Sequence, residues 1–166
     1  MGSEHLDKLT RVLRTDGYEI SDARFEGREV LVARRSQFKV QWMLTRLHTF
    51  IFVVDFTDEV IDTEMLDRYV DVACGYAIKS KGGLPRGLQS GTAAVVVALS
   101  VSPSAEAQQW ASRHRGRRFA ATTFPVMIST TTGKVTHPGP AVLGAIYNHH
   151  LRSVADDLVG AALRSS

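Results

Sequence analysis

Residues 49–56 read TFIFVVDF, and residues 92–101 read TAAVVVALSV. Both are short, nearly continuous apolar runs, which is the pattern of strands covered by protein on both faces of a sheet. Between them, residues 58–80 repeat apolar side chains at helical spacing, with Ile61, Met65 and Tyr69 on one stripe. A buried strand, a helix and a second buried strand predict a right-handed crossover between parallel strands. The two runs therefore predict an α/β protein.

The segment before this crossover predicts one helix and three strands. Ser3 can cap a helix that ends at Asp16-Gly17. The strand-like pieces that follow are residues 17–23, 29–35 and 39–56. The last piece is too long for one regular strand, so we expect a bend, a bulge or two strands near residues 45–48.

The segment after the crossover predicts a helix, a hairpin and a final helix. Ser102 and Pro103 form a good helix start for a helix ending near His114. Residues 117–130 alternate like a strand, and Pro125 within them predicts an edge position or a bulge. A turn at residues 132–134 leads to a short strand, and a last helix covers about 141–164. The prediction is one α/β domain over residues 1–166, close to the α+β class, with a mixed sheet and the order α-β-β-β-α-β-α-β-β-α.

Composition fits an ordinary globular protein. The 166 residues are 44% hydrophobic and 22% charged, and Cys74 is the one cysteine, which excludes an internal disulfide and fits a reducing compartment. The N-terminal residues contain no apolar signal core, and the longest apolar stretch is too short for a bilayer. We therefore expect a cytoplasmic protein that does not enter a membrane.

The charges divide unevenly along the chain. Residues 1–72 contain ten Lys and Arg against fourteen Asp and Glu, a balance of −4, whereas residues 73–166 contain ten against three, a balance of +7. This asymmetry favours an anionic partner or an acidic surface on a neighbouring subunit. The alternative is that the two halves neutralise each other within one folded chain.

Residues 79–91, KSKGGLPRGLQSG, form a glycine-rich loop that contains Lys81 and Arg86. A phosphate-binding P-loop lies after a strand and before a helix, and it ends in Gly-Lys-Ser/Thr. This loop has the reverse order and lacks that ending. Its first half also suits a helix C-terminus. It therefore predicts either a connector or a loop that presents the two cations to an anion.

Residues 112–119, SRHRGRRF, place four arginines at the end of a helix: Arg113, Arg115, Arg117 and Arg118. Cations at a helix C-terminus are favoured by its dipole, which accounts for part of the group. The rest is open to phosphate contact, because guanidinium groups bind phosphate through two hydrogen bonds. We expect these residues to join Lys81 and Arg86 in one anion-accepting surface.

A helix, three strands, a helix and a strand in this order resemble the core of restriction-endonuclease-like nucleases. That resemblance implies a metal held by an acid on one strand and an acid-x-Lys pair on the next. The nearest match is Gln37-Phe38-Lys39 with Glu29 upstream. Glutamine is neutral and Mg²⁺ prefers carboxylates, so the resemblance implies nucleic-acid binding with an incomplete metal site.

Other candidates for chemistry are few. Asp55 ends a buried strand, where it can serve a ligand pocket under the 79–91 loop or cap the next helix together with Thr57. No histidine pair has helical zinc spacing and no nucleophile motif occurs, so we expect no metal, no cofactor and no assigned catalytic residue.

The sequence therefore favours a small binding or assembly domain that self-associates and accepts an anion. The last helix and the Pro125 strand are the expected surfaces for self-association. A nucleic-acid-binding protein is the first alternative. An enzyme with a pocket formed by Asp55 and Arg86 is the second.

Overall fold

The structure, a computed structural model, describes residues 4–38, 46–80, 90–114, 116–118, 121–139, 153, 154, 156, 157 and 160. Its elements alternate largely as predicted. They are α1 (Glu4–Thr15), β1 (Glu19–Phe25), β2 (Arg28–Phe38), β3 (Arg46–Asp55), α2 (Thr63–Ser80), β4 (Ser90–Ser100), α3 (Ala105–Arg113), β5 (Gly116–Arg118), β6 (Ala121–Ser129) and β7 (Val135–Thr136). The described residues between 153 and 160 are helical, within the predicted last helix.

One mixed sheet contains all seven strands. Their order is β1-β2-β3-β4-β6-β5, and β7 pairs with β6. The first three strands form an antiparallel meander, whereas β3, β4 and β6 are parallel. The predicted parallel crossover through α2 is therefore confirmed, and β4 is the central strand between two parallel neighbours.

Helices cover both faces of the sheet. Leu9 and Leu13 of α1 pack on one face, together with Val154. Tyr69 of α2 and Ala107 of α3 pack on the other face. Residues 50–54 of β3 are at most 1% exposed, as a strand between two helical layers requires. The continuous apolar pattern of this strand correctly predicted its burial on both faces.

Both crossover helices begin later than predicted. A turn occupies the start of the α2 segment, where the Glu59 N–H donates to the Phe56 carbonyl oxygen over 3.3 Å. The helix begins at Thr63, and Asp62 Oδ1 accepts from the Met65 N–H over 2.7 Å. For α3 the cap is Ser104, not the predicted Ser102, because the Ser104 side chain accepts from the Ala107 N–H.

The predicted 117–130 strand is two strands. β5 folds back antiparallel on β6, and its register covers residues 121–123, while the register of β7 covers residues 127 and 128. Pro125 lies between these two pairings, so its outer side faces no strand among the described residues. β6 is not an edge strand, because it pairs with β4 on one side and with β5 and β7 on the other, but Pro125 lies in the gap between β5 and β7, where no ladder hydrogen bond is needed.

The parallel strands give the sheet a direction. We call the end where β3, β4 and β6 begin the amino end, and the opposite end the carboxyl end. Because α2 and α3 connect parallel strands, both helices begin at the carboxyl end and finish at the amino end. α1 also finishes at the amino end, since β1 starts there and is parallel to β3 through the meander.

Candidate functional site

Only some of the residues predicted to contact an anion lie in the described part of the chain. Lys81, Arg86 and Arg115 lie outside the described residues. Arg113 is the last residue of α3 and its side chain is exposed. Arg117 and Arg118 belong to β5, at one edge of the sheet, and their register positions oppose Thr122 and Ala121 of β6.

The described parts of the two predicted basic segments lie at the same end of the sheet. Ser80 ends α2 and Ser90 begins β4, so the residues that flank 81–89 both lie at the amino end. Ser90 is in register with Arg46, the first residue of β3. The end of α3, with Arg113, lies at this end as well. The two segments are therefore attached to one end of the molecule.

The amino halves of the strands are strongly basic. We define the amino half as the positions in register with residues 46–50 of β3. In the described strands these positions contain five arginines and one acid, Glu19. The arginines are Arg34, Arg35, Arg46, Arg117 and Arg118. We call these five residues together with Arg113 the amino-end arginines.

Arg34, Arg35 and Arg46 were not predicted as members of this group. They belong to the acidic half of the chain, with a balance of −4, and no local pattern distinguishes them. Their positions depend on the pairing of β2 with β3, in which Arg35 opposes Thr49 and Phe38 opposes Arg46. The predicted parallel crossover gave a partial signal, because it put the start of the third strand and the start of β4 at the same end of the sheet. The predicted piece 39–56 did not identify Arg46 as the first residue of β3.

Helix dipoles contribute to the same asymmetry. The helices α1, α2 and α3 each have an acid in the first turn and a base in the last turn, at the amino end; the bases are Arg14, Lys79 and Arg113. These charges stabilise the helices through their dipoles. The strand arginines have no such role, so the helix dipoles account for only part of the basic charge.

Two amino-end arginines lie over aromatic rings on opposite faces of the sheet. The guanidinium carbon of Arg34 is 5.8 Å from the ring centroid of Phe50, and that of Arg35 is 5.6 Å from the ring centroid of Tyr18. Burial raises the pKa of Tyr18 to about 12, although the nearby Arg35 charge acts in the opposite direction. These contacts position the two guanidinium groups at the sheet, and the carboxylates of Asp16 and Asp157 also act on Tyr18.

His48 and Thr92 form a buried polar pair at the amino end of the sheet. His48 of β3 is in register with Thr92 of β4, and each is 4% exposed. The Thr92 hydroxyl has no hydrogen-bond partner among the described residues. Further along, His114 Nε2 lies 3.2 Å from Thr123 Oγ1. These buried polar side chains lie beside apolar core residues, since the neighbouring Leu47 and Ala93 are also buried.

The carboxyl end is organised around Arg28. Its guanidinium donates to the Asp55 carbonyl oxygen over 2.6 Å and to Asp58 Oδ1 over 2.9 Å, and it also contacts Glu59. It lies 5.2 Å from the centroid of the Phe56 ring. Arg28 thus joins the β1–β2 hairpin to the connection between β3 and α2.

Asp55 has a structural role in this connection. Its Oδ1 accepts from the Thr57 N–H over 2.9 Å and from the Thr57 hydroxyl over 2.7 Å. The predicted partnership with Thr57 is present, but it forms a turn before the helix, whereas Asp62 caps the helix itself. Asp55 ends β3 at the carboxyl end, opposite to Ser80 and Ser90, so the structure does not bring it to the attachment points of the 79–91 loop.

An open cleft of about 500 Å³ lies beside Arg28, between the β1–β2 hairpin and the first turns of α2. Its lining includes Glu26, Met65, Arg68 and Tyr69. The Tyr69 hydroxyl donates to the Phe25 carbonyl oxygen over 3.2 Å, and burial raises the pKa of Tyr69. The cleft is at the carboxyl end, away from the predicted anion contacts.

The nuclease-like metal site is not assembled. Glu29 and Gln37 both lie on β2, eight positions apart, which is about 26 Å along an extended strand. The predicted arrangement required them on neighbouring strands at one level. Lys39 lies outside the described residues. Within the described part of the chain, no group of three or more His, Cys, Asp or Glu side chains is placed to hold a metal ion.

The ion pairs between described side chains all join residues in the first 59 positions: Lys8 with Glu4, Arg24 with Glu29, and Arg28 with Asp58 and Glu59. None of the described helices is long and apolar enough to cross a bilayer. No protein-family model, no curated protein and no solved structure matches this chain.

Proposed function

We propose that this protein is a binding domain that accepts an anionic partner at the amino end of its sheet. The observation that supports this proposal is the excess of five arginines over one acid in the amino halves of the described strands. Charges of one sign on one end of a molecule attract a partner of the opposite sign and increase its association rate.

Three features favour an external anion over internal neutralisation. The ion pairs between described side chains lie elsewhere, with two of them at the carboxyl end around Arg28. Arg46 and Arg113 are exposed. The described residues on either side of 81–89 lie at the amino end, and the proposal assigns Lys81 and Arg86 to the same surface.

The partner class follows from guanidinium chemistry. Arginine binds phosphate and carboxylate groups through paired hydrogen bonds, so both a nucleic acid and an acidic protein segment are suitable. We test both classes with a labelled single-stranded oligonucleotide and a labelled poly-glutamate peptide. Fluorescence anisotropy of the full chain should show binding of one of them, with an affinity that falls steeply as salt increases.

A charge-matched pair of variants locates the surface. Arg46→Gln with Arg113→Gln removes two charges from the amino end, whereas Arg68→Gln with Lys134→Gln removes two exposed charges from elsewhere on the molecule. We expect the first pair to weaken binding about tenfold and to reduce the salt dependence by about two counterions, because each lost phosphate contact removes about one. The second pair should bind like the unmodified chain.

Two results would contradict this proposal. One is equal weakening by the two pairs, which would show that only the net charge matters. The other is the absence of binding to either probe at low salt. Binding of the oligonucleotide but not of the peptide would favour nucleic acid, which is also the class implied by the resemblance in element order.

A further inference from the structure

Within the described part of the chain, one edge of β1 pairs with no other strand. It is the last strand on its side of the sheet, and its only strand neighbour among the described residues is β2. The unpaired N–H and C=O groups of an edge strand can pair with a strand of another chain. β1 is seven residues long, and four of them, Glu19, Ser21, Asp22 and Arg24, are exposed.

The turn after β1 determines which backbone groups face outward. Glu26 and Gly27 form a two-residue turn with φ values of 52° and 83°. Phe25 and Arg28 close this turn and are paired, so the backbone groups of alternate residues counted back from Phe25 bond to β2. The backbone groups of the intervening residues Ile20, Asp22 and Arg24 therefore point to the free edge.

The charges on this edge are complementary to themselves in one register. If two copies pair antiparallel around a two-fold axis at Ala23, Asp22 lies opposite Arg24 of the partner subunit, and the symmetry repeats the pair. An axis at Asp22 would place two aspartates opposite each other. An axis at Ser21 would place neither Asp22 nor Arg24 opposite a residue of opposite charge. Opposite charges across strands stabilise a pair and like charges destabilise it, so the register at Ala23 is selected.

We propose that β1 is the interface of a two-fold symmetric dimer, in which the two sheets join edge to edge through Asp22, Ala23 and Arg24. Such an interface is isologous, with the same residues on both subunits. Within one subunit Arg24 contacts Glu29 over 3.5 Å, and both side chains are largely exposed. An exposed ion pair of this kind is weak, so Arg24 can turn to the partner. This dimer does not depend on anion binding, because the amino-end arginines do not form the interface.

Charge reversal tests the register. Sedimentation velocity on the full chain at tens of micromolar should show a dimer. Asp22→Arg and Arg24→Asp should each give a monomer, because each places like charges opposite each other twice. The double variant should recover the dimer, since it exchanges the charges without changing their complementarity. A monomeric unmodified chain, or a double variant that stays monomeric while folded by circular dichroism, would overturn the proposal.

Disulfide cross-linking tests the same register without changing the charge of the β1 strand. In a facing antiparallel pair the Cα atoms are about 4.5–5.5 Å apart, within the range of a disulfide. Ala23→Cys should therefore form a covalent dimer on mild oxidation. Ser21→Cys is the control, because the two Ser21 positions would be about 13 Å apart. The native Cys74 is buried. Equal cross-linking of both variants, or none of Ala23→Cys, would reject the interface at Ala23.

Discussion

Tyr18 shows how one residue connects the core to the basic end. It is 7% exposed, it packs in the cluster under α1, and Arg35 lies over its ring. Burial disfavours the charged tyrosinate, which raises the pKa of Tyr18 to about 12 from its ordinary value near 10. The folded chain therefore retains the Tyr18 proton at a pH where the unfolded chain has lost it.

This difference predicts an alkaline loss of stability. Below pH 10 the contribution of Tyr18 is fully present, and it is lost as the pH rises towards 12. Between pH 10 and 11 the free energy of unfolding should fall by about 1 kcal/mol because of this group alone. Urea titrations at several pH values should show a shallower fall for Tyr18→Phe than for the unmodified chain. Parallel curves for the two proteins would contradict this assignment.

At the scale of elements, the β1–β2 hairpin combines an unfavourable turn residue with a strong anchor. Glu26 adopts a φ of 52°, in the left-handed region. Residues other than glycine, asparagine and aspartate rarely adopt this region. Arg28, directly after the turn, holds the hairpin to the β3–α2 connection through Asp55, Asp58 and Glu59. The hairpin keeps its shape because the anchor and the strand pairing offset the strain at Glu26.

A substitution in this turn should therefore increase the stability of the protein. Asn-Gly is the preferred pair for a two-residue hairpin with positive φ at both positions, so Glu26→Asn should raise the free energy of unfolding by about 0.5–1 kcal/mol. Gly27→Ala, at a φ of 83°, should lower it. Thermal and urea unfolding of both variants measure the two changes. A destabilised Glu26→Asn would show that the glutamate side chain makes a contribution larger than the strain.

At the scale of the whole molecule, the sheet is the layer that both apolar clusters share. Phe52 of β3 is 0% exposed and lies within 6.2 Å, centroid to centroid, of the rings of Phe25, Phe50 and Tyr76. These rings come from β1, β3 and α2. A cavity there removes contacts from the strand layer and from a crossover helix at once.

Phe52→Ala should therefore destabilise the whole chain. A buried Phe→Ala change costs about 3–5 kcal/mol, against a total stability of about 5–15 kcal/mol for a typical domain. Circular dichroism and tryptophan fluorescence should lose their signals in one shared urea transition at a lower midpoint. Val60→Ala is the control, since Val60 is 83% exposed and should change stability by less than about 0.5 kcal/mol. Separate transitions for the two signals would show that the faces unfold independently.

Much of the fold was determined by the sequence itself. The apolar runs of β3 and β4 predicted strands buried on both faces, and the periodic stripe of α2 predicted the helix between them, because burial on two faces leaves a continuous local pattern. Local patterns also placed the turn before β7 near residues 132–134. They misplaced the starts of α2 and α3, because several polar residues in each segment were able to cap and the turn geometry chose among them.

The basic end was decided by the tertiary structure. Arg34, Arg35 and Arg46 occur in the acidic half of the chain, and only the register between β2 and β3 places them at the end of the sheet where α3 finishes with Arg113. The length of β2, a single strand over Arg28–Phe38, separated Glu29 from Gln37 by eight positions, so these two nuclease-like candidates do not lie together. Strand pairing joins residues that are distant in the chain, and no local pattern encodes it. The sequence therefore determined the layers of this protein, and the pairing of its strands decided where the charges meet.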